Sequence, residues 1–257
     1  MAPPDRGAGR TAVPKRRFYF SLRSPYSWLA HHDLMNRHAG SADTLEWVPY
    51  WEPDERTTAL LADTGSTFVY TQMSRAKHFY ILADVRRLAT SRGLKVSWPV
   101  DHTPVWEVPH LAYLAARRRG FGPAFVEQAQ QARWQEGLDI CDRATMAGIA
   151  DRLGLARDVL TEAVDDPGLR EEGAEALRSA IREGVFGVPF FVNGHDKYWG
   201  VDRLSAFLAS LAPDGDAGGG PGPGPSSGSG SASASESVLA EADVRPGGDI
   251  GHAGGCG

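Results

Sequence analysis

Phe18-Tyr19-Phe20-Ser21-Leu22-Arg23-Ser24-Pro25-Tyr26-Ser27-Trp28-Leu29-Ala30 and, about 160 residues on, Gly184-Val185-Phe186-Gly187-Val188-Pro189-Phe190-Phe191-Val192 decide how the rest of this chain is read. Arg17–Leu22 alternates and carries aromatic bulk, the pattern of a β-strand. Ser24 is a good helix N-cap, and Pro25 suits the first helical position, where a missing N–H costs nothing. The strand therefore turns directly into a helix, predicted from Pro25 to Ala39 and stopped by Gly40. The second stretch reads as a glycine-punctuated turn leading through Val188-Pro189 into a strand over 189–193. Asn193-Gly194 signals a hairpin to a strand at 196–199, followed by a last helix over 201–211.

Between these ends, Thr44–Trp51 reads as a second strand. Ser74–Arg92 has helical spacing, with Ala76, Phe79, Tyr80, Ala83 and Leu88 as its apolar stripe and Gly93 beyond its end. Helical patterns continue over 108–119, 125–137, 144–153, 156–164 and 169–183, with no strand among them. The order is β-α-β, a helical block, then β-β-α. The expected fold class is α/β, with an all-α insertion interrupting a small sheet. Residues 1–16 read as a disordered arm, 17–55 and 184–211 as the two halves of the α/β unit, 56–183 as the insertion. Residues 212–257, rich in Gly, Pro, Ser and Ala, read as a disordered low-complexity tail.

Composition excludes several classes. The 257 residues carry a formal net charge of −5, which argues against nucleic acid as the partner. No apolar run approaches the ~18–20 residues of a membrane span. The N-terminal residues lack the apolar core of a secretory signal, so a cytoplasmic protein is expected. Cys141 and Cys256 stand far apart, which supports neither a disulfide framework nor a metal site.

The Ser-Pro-Tyr-Ser helix start, the Gly-x-x-Gly-Val-Pro segment and Trp199-Gly200-Val201-Asp202-Arg203-Leu204 together resemble the DsbA-like branch of the thioredoxin superfamily. More closely, they resemble its 2-hydroxychromene-2-carboxylate isomerases and kappa-class glutathione transferases. The resemblance covers about 17–211. It implies a thioredoxin-like fold with a helical insertion, and a serine in place of the first cysteine of a redox CxxC pair. It further implies that the sulfur comes from glutathione or another low-molecular-weight thiol, oriented by Ser24. Val188 and cis-Pro189 would hold the cysteinyl part of that thiol, and Val201 and Asp202 its γ-glutamyl end. Val201 departs from the family, where a small polar residue is usual.

Each residue also has a plainer reading. Locally, Ser24 reads as an N-cap, Pro189 as an edge or bulge proline, and Asp202 as a helix cap. Lys77, Tyr80, Asp84 and Arg87 share one side of a helix, as a surface ion-pair set or, for Lys77, as an anchor for a ligand carboxylate. Tyr26, Trp51 and Trp106 are expected to line an aromatic substrate cleft, with Glu52 and His110 as chain-specific substrate contacts or a general acid/base; aromatics are more often core than ligand platform. Lowering a thiol pKa from about 8.5 by ~2 units raises its ionised fraction at pH 7 from ~3% to ~75%, but intrinsic nucleophilicity falls about eightfold. The net gain is only about threefold, so positioning must supply most of the rate.

The expected activity is thiol-dependent cis–trans isomerisation of a small conjugated or aromatic carbonyl compound. A kappa-class-like transferase is the alternative, as is a natural-product tailoring or binding protein on the same fold. The partner is a small molecule; homodimerisation stays open.

Overall fold

The computed structural model describes residues 15–69 and 73–212. The calls of a disordered arm and tail therefore fall almost wholly outside the described residues. The first strand, β1 (Arg16–Phe20), leads through a turn into α1 (Pro25–Arg37), which Ser24 caps from an extended backbone. The helix ends at His38, not at Gly40. Gly40 instead lies inside a short helix, α2 (Ala39–Ala42), because the kink falls at His38 with φ −143° and ψ 34°. The strand β2 (Glu46–Pro49) follows, then α3 (Glu55–Ala62) and α4 (Arg75–Thr90).

The helical block continues with α5 (Glu107–Arg118), α6 (Gly122–Trp134), α7 (Arg143–Leu153), α8 (Arg157–Thr161), a 3₁₀ turn at Ala163–Asp165, and α9 (Pro167–Arg182). The expected single helix over 156–164 is thus a short α-turn and a 3₁₀ turn. The chain closes through β3 (Phe190–Asn193), β4 (Asp196–Trp199), a 3₁₀ turn at Val201–Arg203 and α10 (Leu204–Ser210). Gly194, at φ +63°, makes the hairpin turn that the Asn-Gly pair announces.

The four strands form one sheet in the order β2-β1-β3-β4, with β1 parallel to β2 and antiparallel to β3, and β3 antiparallel to β4. This is the α/β arrangement that the resemblance implies, with the helical insertion lying between β2 and β3. Alternation along β1 sorts its side chains between two faces. Phe18 and Phe20 join Trp47, Phe191 and Phe207 on one face; Phe18 stacks on Phe191 with ring centroids 5.0 Å apart. Tyr19 packs with Val48, Val188, Phe190 and Val192 on the other.

α5 runs through the core with both its faces buried from Val108 to Ala116. α9 approaches it closely at Gly173, where a Cβ would stand 2.8 Å from Leu111 and 2.9 Å from Trp51.

The stripe expected on α4 is out of phase. Ile81, Val85 and Ala89 are its buried residues, spaced by four, while Phe79 and Tyr80 are 54% and 60% exposed. A helix on the flank of a domain needs only a narrow apolar line, and the aliphatic residues supply it.

Candidate active site

The turn from β1 to α1 is a closed serine network. The Ser24 N–H donates to the Ser21 carbonyl at 3.1 Å, and the Arg23 N–H to Ser21 Oγ at 3.2 Å. The Ser21 N–H donates to Ser27 Oγ at 3.2 Å, and the Ser27 N–H to Ser24 Oγ at 3.1 Å. Ser24 is thus a capping residue, as its local sequence says, with its oxygen over the positive end of a thirteen-residue helix. Its hydroxyl also points across the fold, donating to the Val188 carbonyl at 3.4 Å. The Val188-Pro189 peptide is cis. Two segments 164 residues apart in sequence therefore meet at one hydroxyl.

Beside this junction lies a cavity of about 530 Å³. Tyr26 from α1, Lys77, Tyr80, Asp84 and Leu88 from α4, Val188 and Pro189, and Trp199 to Asp202 form its walls, with Arg92 at its edge. The Tyr26 hydroxyl donates to Asp84 Oδ2 at 2.8 Å, tying α1 to α4. Arg92 is neutralised by Asp33 through contacts of 2.6 to 3.0 Å. Lys77 is then the cavity's cation without an ion pair among the described residues. The Asp202 carboxylate, also a lining group, is well exposed and lies 3.7 Å from Arg203 Nε. The cavity wall is otherwise apolar, through Leu88, Val188, Pro189, Trp199 and Val201.

The structure thus brings together Tyr26, Lys77, Val188, Pro189, Val201 and Asp202. Ser24 lies behind them, 1% exposed, and reaches the junction through its hydroxyl. Sequence reasoning passed over Leu88, Arg92 and Trp199 as wall residues. Trp199 stood inside the quoted Trp-Gly-Val-Asp motif; Arg92, the last residue of the expected helix, gave no signal. Tyr80 and Asp84 share the helical face that singled out Lys77.

The other aromatic-cleft residues are elsewhere. Trp51 and Trp106 are 2% and 4% exposed and belong to the main core. Glu52 pairs with Arg23 at 2.9 Å and borders a separate cavity near Phe68. His110 is wholly buried: Trp106 O lies 2.7 Å from Nδ1, and the Leu22 N–H donates to Nε2 at 3.1 Å. Burial holds its imidazole down to about 3, so it stays neutral. With no surface open to solvent, it cannot serve as a solvent-reached acid or base. Amphipathic residues were assigned to the cleft by type, and here the core claimed them.

The same interior holds further ionic groups. Arg133 and Asp101 form a two-pronged pair at 2.8 and 2.7 Å, both buried. The Arg133 guanidinium lies over Trp106 and Trp134, 5.0 and 4.8 Å from the ring centroids, and Arg23 covers Trp106 at 5.1 Å. Glu107 accepts from Trp51 Nε1 at 3.2 Å and from the Asp54 N–H at 2.6 Å, and burial pushes its carboxyl up.

Cys141, the cysteine among the described residues, has its thiol pushed up to about 12 by burial. It is a poor source of thiolate at neutral pH, and it is not among the cavity's lining residues. No helix among the described residues is long and apolar enough to cross a membrane.

Comparison with known proteins bears on the family and the fold. A 2-hydroxychromene-2-carboxylate isomerase from Sphingobium xenophagum is 29% identical over 198 residues, spanning 77% of this chain and 97% of that protein. A solved 2-hydroxychromene-2-carboxylate isomerase superposes with a TM-score of 0.61 at 22% identity, over 76% of this chain and 93% of that one. The cytosolic disulfide reductase DsbM from Pseudomonas aeruginosa, solved with GSH, superposes with a TM-score of 0.52 at 19% identity, over 77% of this chain and 98% of that one. The DSBA-like thioredoxin domain family matches residues 17–212. With that match spanning the whole sheet and its helical insertion, the chain belongs to the DSBA-like thioredoxin domain family, among relatives that are 2-hydroxychromene-2-carboxylate isomerases.

Proposed function

We propose that this protein is a thiol-dependent cis–trans isomerase of a small conjugated or aromatic carbonyl compound, with glutathione or another low-molecular-weight thiol as cofactor. The observation that carries the reading is the Ser24 hydroxyl. It sits on a helix N-terminus, aimed at the Val188 carbonyl, beside a cavity lined by Lys77 and Asp202. These residues suit a zwitterionic thiol. Lys77 would take a carboxylate, Asp202 an α-ammonium, and the backbone of Val188 the peptide part. Val201 gives no hydrogen bond from its side chain, so that end of the ligand is gripped by charge more than by donors.

When bound, the thiol supplies a nucleophile whose reversible addition to an electron-poor double bond permits rotation and then leaves unchanged. Ser24 would turn its hydroxyl from the Val188 carbonyl to donate a hydrogen bond to the sulfur. The N-terminus of α1 favours the anionic form of that sulfur. Tyr26, Leu88 and Trp199 offer an aromatic and aliphatic wall against a planar substrate. A cytoplasmic compartment, where small thiols stay reduced, fits this chemistry.

The test uses 2-hydroxychromene-2-carboxylate as first substrate, with and without reduced glutathione, and Ser24→Ala beside the parent. Turnover is expected to require the thiol and to fall by about 10²-fold in the variant, the scale for losing one aligned donor. Full activity without any thiol, or an unchanged rate in Ser24→Ala, removes the proposal. Product mass decides against the transferase reading, since isomerisation leaves substrate mass unchanged.

A further inference from the structure

We infer that His110 is a positioning residue that holds the Ser24 turn in place from inside the core. The kinetic half of this inference rests on the isomerase reading; the structural half does not.

The partners of His110 define its tautomer. The Trp106 carbonyl can only accept, so Nδ1 carries the proton; the Leu22 N–H can only donate, so Nε2 is bare. Ser21 Oγ lies 3.4 Å from the same Nε2. A serine hydroxyl that donates there keeps its lone pairs for the Arg23 N–H, which it accepts at 3.2 Å. The Ser21 carbonyl in turn accepts the Ser24 N–H at 3.1 Å. One imidazole therefore anchors two consecutive residues of the turn, and both connect to Ser24 through Ser21.

The ring is itself held. It stacks on Trp51 with centroids 5.0 Å apart and planes 14° from parallel. Trp106, whose carbonyl it grips, is covered by Arg23 and Arg133. The first turn of α5 thus braces the turn before α1 through His110 on one side and the Trp106–Arg23 contact on the other. Only a flat ring with a donor and an acceptor on its edges performs all these tasks. Phenylalanine keeps the stack and loses both bonds. Glutamine can return an acceptor to Leu22. An aimed hydroxyl needs a turn that does not drift, since small misplacements of a reacting group are costly.

The experiment compares the parent with His110→Phe, His110→Gln and Ser21→Ala. Amide hydrogen exchange over residues 21–27 is followed without ligand, and turnover is measured with reduced glutathione and 2-hydroxychromene-2-carboxylate. In His110→Phe, exchange at Leu22, Arg23 and Ser24 is expected to quicken by about tenfold or more, with α6 and α9 unchanged. kcat is expected to fall by about tenfold while KM for the thiol stays within about twofold. His110→Gln should recover much of both, and Ser21→Ala should show a smaller effect of the same kind. Unchanged protection at 21–27 overturns the inference. So does a loss spread evenly over the whole chain in the Phe and Gln variants alike, which would make His110 a core filler. If the parent shows no thiol-dependent turnover, the isomerase reading fails while the exchange measurement still decides the brace. If His110→Phe does not fold, the Gln and Ser21→Ala exchange patterns decide it.

Discussion

Asp101→Asn tests the interior on which the candidate site rests. Asp101 and Arg133 meet through two hydrogen bonds, with side chains 2% and 0% exposed. Asparagine keeps one acceptor but turns an amide toward a guanidinium nitrogen, so a bond and the counter-charge are lost together. Removing one partner of a buried ion pair costs about 3–5 kcal/mol, because the remaining charge is stranded. The indole contacts of Arg133 exist before and after the change and offset none of it. For a folded unit of this size, ~4 kcal/mol corresponds to a drop in Tm of about 10 °C. With a urea m-value of about 2 kcal/mol/M, the midpoint falls by about 2 M. The companion variant is Asp101→Leu with Arg133→Met. It removes both desolvation costs together and is expected within about 2 kcal/mol of the parent, or above it. Urea unfolding of the three proteins at neutral pH and constant m settles the matter. A single variant within 1 kcal/mol of the parent, or a double variant as unstable as the single, would refute the reasoning.

Acid stability should depend on the two buried histidines. Burial holds His31 down to about 4 and His110 to about 3, whereas an unfolded chain protonates both near 6.5. Between pH 6.5 and about 4 the unfolded state binds more protons, so stability falls as pH drops, by up to about 1.4 kcal/mol per pH unit for each histidine. His31→Phe is expected to lower this slope by up to about 1.4 kcal/mol per pH unit in urea titrations run from pH 7 to 4.5; an unchanged slope refutes it. Glu107 acts in the other direction. Burial raises its carboxyl, so its contribution is full below the unfolded carboxylate range and lost as pH rises through the raised value. Both of its bonds end on Oε1, which glutamine can supply. Glu107→Gln is therefore expected to match or exceed the parent at pH 7 and to lose that advantage by about pH 4. A variant clearly weaker at pH 7 would show that the charge itself is needed.

Much of the architecture was legible because local rules and the global fold agree. Ser24 and Pro25 signal a helix start, Asn193-Gly194 a hairpin, and the strand alternation at Phe18 to Phe20 sorts two faces, all within a few residues. The stripe on α4 misled because Phe79 and Tyr80 were counted as core by type, while Ile81, Val85 and Ala89 do the burying. α3 was passed over, although Asp54 stands at its N-cap and accepts the Thr57 N–H at 2.8 Å. Its two threonines weaken the helical pattern, and the cap was the signal to use.

What the amino-acid order determined alone is the short-range part: where strands turn into helices, and which residues could carry a charge or donate a hydrogen bond. Which of them share a cavity was decided only by folding. Lys77, Val188 and Asp202 converge because β1, β3 and β4 are paired in one sheet and α4 lies against α1 through Tyr26 and Asp84. His110 and Trp106 have the same chemistry as true cleft residues, yet α5 passes through the centre of the core and takes them inside. A side chain's type states what it can do. Its place in the fold, set by contacts many residues away in sequence, decides which cavity or core it joins.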